Sequence, residues 1–300
     1  MRLVLPRTLV SSLVDVHGPA GAAWLGELPA LVGICAQRWQ LRLVALLPAG
    51  YHVVIAATGP AGRELVLKMA PPGLEGDRRE RVALRAADGH GLAVVEAEDP
   101  GLGALLLRRG RPGDPAATLV PKDDAAATSA LAGVARRLAA ASAEGVALPH
   151  LSQLGDPIRR GREAGLPADL ADAALRLLPG LLAGAGPDVV LHGDLHHGNV
   201  VRDDTAPDGW LGIDPHGWLG GRAFEASTAL HNPIELGRRT LLRLLPSRLE
   251  QWTGELDVGR DQVLGWGVVK AAVSEAWTLE DHGKLSGIPL AVGRRLLELA

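Results

Sequence analysis

A short apolar run at residues 188–191 leads into Leu191-His192-Gly193-Asp194-Leu195-His196-His197-Gly198-Asn199-Val200. A second short strand, expected over residues 210–213, ends at Asp214 within Ile213-Asp214-Pro215. Two carboxylates and one amide in this order suit phosphoryl transfer. Asp194 would accept the proton of an attacking hydroxyl, while Asn199 and Asp214 would hold Mg²⁺ ions that bridge the phosphates of ATP. Mg²⁺ is a hard cation that takes oxygen donors, and an amide and a carboxylate supply them. The blander reading makes Asp194 and Asn199 turn caps, but it gives no reason for an aspartate at 214. A rival reading takes His192, Asp194, His196 and His197 as ligands of a zinc or di-metal hydrolase, and leaves Asn199 without a task.

Chemistry on ATP also needs a cation for the phosphates. Lys68 lies in Leu65-Val66-Leu67-Lys68-Met69, where alternation puts it on one face of a strand. Only four of the 31 basic residues are lysines (Lys68, Lys122, Lys270 and Lys284), so a compact ammonium retained here is informative. Twelve residues on, Glu80 sits on a charged helix. Kinases pair such a glutamate with the strand lysine to hold it against the α and β phosphates. Glu75 and Asp77 compete for that role; Val82, Ala83 and Leu84 after Glu80 favour Glu80 as the residue beside a packing face.

The elements that position these residues follow from periodicity. Residues 25–39 read as a helix with Pro29 in its first turn. Residues 41–47, 51–57 and 64–69 read as antiparallel strands separated by Pro48-Ala49-Gly50 and Gly59-Pro60-Ala61-Gly62. A helix over 77–87 and strands over 92–98 and 104–108 complete a five-stranded lobe. After Gly110-Arg111-Pro112-Gly113 the chain turns helical: a helix capped by Asp123 or Asp124 reaches about 142, others cover 168–178 and 261–279, and the segment from 224 onward is helical with breaks. The expected fold is α+β, with an N-terminal lobe over 1–109 and a mainly helical C-terminal lobe over 110–300.

Composition narrows the function classes. The 300 residues carry a net charge of -3 and no long basic run, which disfavours nucleic acid as a partner. The lone Cys35 excludes intrachain disulfides and cysteine-based metal clusters. No uninterrupted apolar run nears the roughly 20 residues that span a bilayer, and the start lacks the pattern of a signal peptide. A soluble, cytoplasmic monomer with no membrane partner is the expectation.

With these motifs in view, the chain resembles the aminoglycoside phosphotransferases, and within them the streptomycin 6-kinase and hydroxyurea phosphotransferase branch. The resemblance covers nearly the whole chain. Trp24-Leu25 and Leu28-Pro29 are similar to that branch's opening helix (about 22–39), Leu105-Leu106-Leu107-Arg108-Arg109 to its hinge, and Ile213-Asp214-Pro215-His216-Gly217 to its metal segment. It implies a protein-kinase-like two-lobe fold and an ATP- and Mg²⁺-dependent O-phosphotransferase that inactivates an antibiotic such as streptomycin. Asp194 would be the base, Asn199 and Asp214 the Mg²⁺ ligands, and Lys68 with Glu80 the phosphate contact. The backbone of Leu106, Leu107, Arg108 and Arg109 would face adenine. Glu225 stands where an aspartate is frequent, which implies a hydrogen bond to the catalytic loop. The chain lacks a G-x-G-x-x-G loop, as family members often do. Kinases of hydroxyurea or another hydroxylated metabolite, and a catalytically silent nucleotide-binding module, are the alternatives.

A cationic acceptor calls for carboxylates. On the helix over 261–279, Trp266, Val269, Val273 and Trp277 form an apolar stripe, and Glu280 and Asp281 continue it at an end where the helix dipole disfavours acids. These two are the substrate candidates; Glu275 faces the other way and is weaker. His197 and His216 receive no role.

Overall fold

In the computed structural model, which describes residues 3–300, the alternating segments form β1 (Arg42–Leu47), β2 (Val53–Thr58) and β3 (Glu64–Met69). The charged helix α2 (Glu75–Ala87) follows, then β4 (Val95–Asp99) and β5 (Ala104–Arg108). The five strands make one antiparallel sheet in the order β1-β2-β3-β5-β4, which puts β5 inside the sheet and β4 on its edge. The β4–β5 turn is closed by Asp99 Oδ1, which accepts from Leu102 N at 3.1 Å. Gly103 then takes φ +61°, and a Cβ there would lie 1.9 Å from Ala70 O, so only glycine lets β3 and β5 converge at this point.

The first helix departs from the expectation. The opening helix was placed at about 22–39, but α1 spans Arg7–Arg38 and breaks at Gly18 (φ 57°, ψ -142°). Gly18-Pro19 breaks the apolar periodicity and hides the first arm from a pattern search; Pro19 starts the second arm, where its missing N–H is tolerated, whereas Pro29 lies in that arm's interior. Leu9 and Leu13 from the first arm, and Trp24, Leu28, Val32 and Cys35 from the second, are buried with Val53, Ile55, Leu67 and Leu106 of the sheet. Each such aliphatic side chain stabilises the fold by about 1.5–3 kcal/mol. By length and composition α1 could cross a membrane (mean hydropathy 1.3 over its best window), a property the proline and glycine interruptions also concealed.

The chain sorts into two units. One comprises residues up to Arg81 with Ala93–Arg109, and the other comprises Val82–Leu92 with Gly110–Ala300. The second carries two small sheets. In one, β6 (Pro112–Pro115), β8 (Val200–Asp203) and β9 (Trp210–Gly212) run in the order β6-β8-β9; in the other, β7 (Val189–Leu191) pairs with β10 (Trp218–Gly220). Its helices are α3 (Asp124–Leu138), α4 (Gly155–Ala164), α5 (Ala168–Ala183), α6 (Ala226–Ala229), α7 (Gly237–Leu256), α8 (Arg260–His282) and α9 (Ile288–Glu298). Asp123 caps α3 through Ala126 N, and the helix ends at Leu138, short of 142. Helix α4 was missed because GDPIRRGREA buries only Gly155, Pro157, Ile158 and Gly161, too few apolar residues to register as a stripe.

Two buried polar side chains tie the helices together. Arg248 on α7 makes charge-assisted bonds to Asp124 at the start of α3 (2.6 and 3.0 Å) and donates to Ala229 O and Asn232 O. Glu275 on α8 is fully buried and accepts from Ser286 N, Gly287 N and Leu290 N at 2.7, 2.7 and 3.0 Å, capping the amino end of α9. Glu275 is thus a structural cap. Glu275→Ala would leave three amide donors unpaired and is expected to lower stability by at least about 2 kcal/mol, read from the midpoint of urea unfolding. Glu275→Gln, which keeps one acceptor oxygen, should cost less.

Candidate active site

In the first unit, Lys68 and Glu80 are both buried, and Lys68 Nζ donates to each Glu80 oxygen at 2.7 Å. The alternation on β3 and the spacing of α2 deliver this pair, while Glu75 turns outward to Arg78. Asp77 faces His52 Nε2 at 2.9 Å, just before β2. His52, Asp77 and Glu80 come close enough to hold a metal by distance alone. Both Glu80 oxygens already accept from the Lys68 ammonium, so that trio does not fit a cation.

The segment expected to face adenine is paired on both sides at Leu106 and Leu107. Leu106 and Leu107 lie opposite Leu67 and Val66 on β3 and opposite Ala97 and Val95 on β4. Arg108 N donates to Val94 O and Arg109 N to Glu64 O. The amides of Arg108 and Arg109 are thereby taken within the sheet.

In the second unit, β7 delivers the loop that holds Asp194 and Asn199. Its path is set by Glu225, which is buried after β10 and accepts from His192 N (2.5 Å) and Gly193 N (3.3 Å). Gly193 sits at φ +77° against the Trp218 ring, where a Cβ would meet Trp218 Cδ1 at 2.3 Å. His192 bridges two segments: Nδ1 accepts from Asp194 N (3.2 Å), so Nε2 carries the proton and donates to Ile213 O (2.9 Å). Asn199 Nδ2 donates to Asp194 O (3.1 Å), and Ile213 N donates to Asn199 O (2.9 Å). Asp194, Asn199 and the residue preceding Asp214 therefore form one hydrogen-bonded frame. Asp214 itself is exposed and adopts φ +60°, a left-handed conformation that aspartate tolerates better than most residues.

A model of the family described as aminoglycoside/hydroxyurea antibiotic resistance kinase matches residues 38–282. The chain belongs to that family. It is 32% identical to a streptomycin 6-kinase from Streptomyces glaucescens, over 96% of this chain and 94% of the relative. It is equally 32% identical to a hydroxyurea phosphotransferase from Kitasatospora aureofaciens, over 92% of this chain and 81% of the relative. The solved choline kinase of Streptococcus pneumoniae has the same fold, with a TM-score of 0.61 at 12% identity over 90% of this chain and 98% of that one. The α+β fold of this kinase is thus protein-kinase-like.

Around Asp194 the kinase gathers cations that the sequence reading did not assign. Lys270 on α8 is buried, and its Nζ donates to Gly193 O (3.0 Å) and lies 3.3 Å from Asp194 Oδ1. His196 Nε2 and His216 Nε2 flank Asp194 Oδ2 at 3.6 and 3.7 Å. Burial opposes ionisation of Asp194, but Lys270 above all, then His216 and His196, hold the carboxyl well below the usual carboxylate range. A signal for Lys270 existed: it is one of only four lysines, set in Val268-Val269-Lys270-Ala271-Ala272-Val273. Glu280 and Asp281 lie one turn beyond Trp277 on α8 and are exposed, with Glu280 Oε2 3.6 Å from Arg160 Nη2, so the buried stripe does not extend to them.

The rival zinc reading fails on the same geometry. Both His192 nitrogens are engaged in hydrogen bonds, and among the described residues no three of His192, Asp194, His196 and His197 bring their ligand atoms together. Burial lowers His192 to about 4 and His231 to about 3, and it holds His197 well below its ordinary value. Burial also pushes Glu225 up to about 7, against the two amides that favour its charged form.

These shifts set an acid limit on stability. Each of the three histidines binds a proton below about pH 6.5 only when unfolded, which favours the unfolded chain as pH falls. Glu225 has the opposite sign, since the native state holds its proton up to about pH 7. The net excess of about two protons predicts that stability drops by roughly 2–3 kcal/mol per unit between about pH 6.5 and 5. Urea unfolding at pH 7.5, 6.5 and 5.5 checks this, and a flat or rising midpoint on acidification would contradict it.

Proposed function

We propose that the protein transfers the γ-phosphoryl group of ATP, with Mg²⁺, to a hydroxyl of a small cationic acceptor, and that streptomycin is that acceptor. The observation that carries the reading is Asp194: an ionised carboxylate with Oδ1 beside Lys270 and Oδ2 on its other side, framed by Asn199 and the Asp214 segment. The equal likeness to a hydroxyurea phosphotransferase makes hydroxyurea the second acceptor to test.

In this reading Asp194 Oδ2 takes the proton of the acceptor hydroxyl as its oxygen forms a bond to the γ-phosphorus. The bond from that phosphorus to the bridging oxygen breaks, and ADP leaves. With Asn199 Nδ2 donating to Asp194 O, the Asn199 amide oxygen and the exposed Asp214 carboxylate are the hard donors that fit Mg²⁺. Bound Mg²⁺ supplies charge neutralisation for the phosphates. Lys68, fixed by Glu80, contacts the nucleotide phosphates. The reading carries a cytoplasmic location, where ATP is available as the donor, and a monomer as the simplest assembly.

Turnover of ATP with streptomycin, hydroxyurea or simple alcohols as acceptors tests the reaction class. Asp194→Asn is expected to reduce phosphoryl transfer about 10²–10⁴-fold while leaving ATP affinity near that of the parent. Turnover within a few-fold of the parent would remove the base from Asp194. We further propose that Glu280 and Asp281 hold a cationic group of the acceptor. Because both are exposed, Glu280→Gln with Asp281→Asn should raise the streptomycin KM about two- to tenfold. The ATP KM should stay constant and the effect should shrink with added salt. Equal rises in both constants would count against an acceptor subsite.

A further inference from the structure

Helix α8 carries its only lysine in the middle of its most apolar stretch. From Val268 to Val273 every neighbour of Lys270 is Val or Ala, and all are buried. An ammonium there loses its water and must be repaid by partners. Among the described residues its partners include Gly193 O at 3.0 Å, Asp194 Oδ1 at 3.3 Å, and the face of the Trp277 ring, with Nζ 5.2 Å from the centroid. The chain otherwise favours arginine, with 27 of its 31 basic residues of that type. An ammonium is a compact point charge on a slim stem, unlike the planar fork of a guanidinium.

We propose that Lys270 is the positioning residue for Asp194. One ammonium binds the loop twice, at the carbonyl of Gly193 and at the carboxylate that follows it. That fixes the rotation of the Asp194 side chain, with Oδ1 held on the buried side. Oδ2 lies between the partly exposed imidazoles of His196 and His216 and is left for the acceptor hydroxyl. Trp277 closes the remaining side of the ammonium and stands edge-on to His216, ring centroids 6.3 Å apart. Lys270 thereby joins α8, which also carries the acceptor candidates Glu280 and Asp281, to the orientation of the base. The proposal rests on the reading of Asp194 as that base.

The test compares Lys270→Met, Asp194→Asn and the double variant with the parent, following ADP release from Mg-ATP with streptomycin and with water alone as acceptor. Lys270→Met keeps an unbranched side chain, one atom shorter, and removes its charge. The double variant removes both charges and serves as a folded reference if Lys270→Met alone is unstable. Lys270→Met is expected to lower kcat at least about tenfold while both KM values stay within about twofold. Added to Asp194→Asn it should change the residual rate less than about twofold, because its effect passes through Asp194. In Lys270→Ala, methylammonium should restore part of kcat, and the bulkier tetramethylammonium should not. A Lys270→Met enzyme with parental kcat, a parallel loss in kcat and in both affinities, or full additivity with Asp194→Asn would each overturn the proposal. An active Asp194→Asn enzyme would instead overturn the reading of the base. If the parent ignores streptomycin, only the acceptor assignment fails, and the water arm decides Lys270.

Discussion

A carboxylate without solvent, set against two consecutive backbone amides, is the constraint on which the second unit's site depends. Glu225 takes the N–H groups of His192 and Gly193, and this pins the loop where it leaves β7. With the loop fixed, His192 can span from Asp194 N to Ile213 O, and Asn199 can reach back to Asp194 O. Gly217 N closes onto His192 O from the other side.

The same unit separates its charges by burial. His192, His197 and His231 are enclosed and stay neutral, so they act as hydrogen-bonding or packing groups. Positive charge next to Asp194 is concentrated on Lys270, with His196 and His216 at the more open side. Beside these neutral imidazoles, Lys270 and Asp194 stand as an ammonium–carboxylate pair.

What could be read from the sequence follows a physical rule. Lys68 and Glu80 could be found because a lysine alternating on a strand and a glutamate on the next helix have a fixed reach, and the side chains meet. The loop from His192 to Asn199 was legible because its spacing is set by backbone geometry. Lys270 was overlooked for the opposite reason: it lies in a helix face that reads as core, and its partner is 76 residues away. Glu275 and the pair Glu280 and Asp281 differ only in what packs against them, which periodicity on one helix does not contain. The first arm of α1 was lost to the break at Gly18-Pro19, and α4 to its small number of buried apolar residues.

Arg248 has a consequence for how this unit comes into being. One guanidinium meets Asp124 at the start of α3, the carbonyl at the end of α6 and the carbonyl of Asn232, while its own helix lies 124 residues after that aspartate. During synthesis α3 leaves the ribosome with its carboxylate unmatched, and the match arrives only when α7 has been made. Early helical structure can form locally, but the long-range closure that locks it waits for most of the chain. The second unit is therefore expected to condense late and as a whole, and a nascent chain halted before α7 would lack the side chain that joins its first helix to the rest.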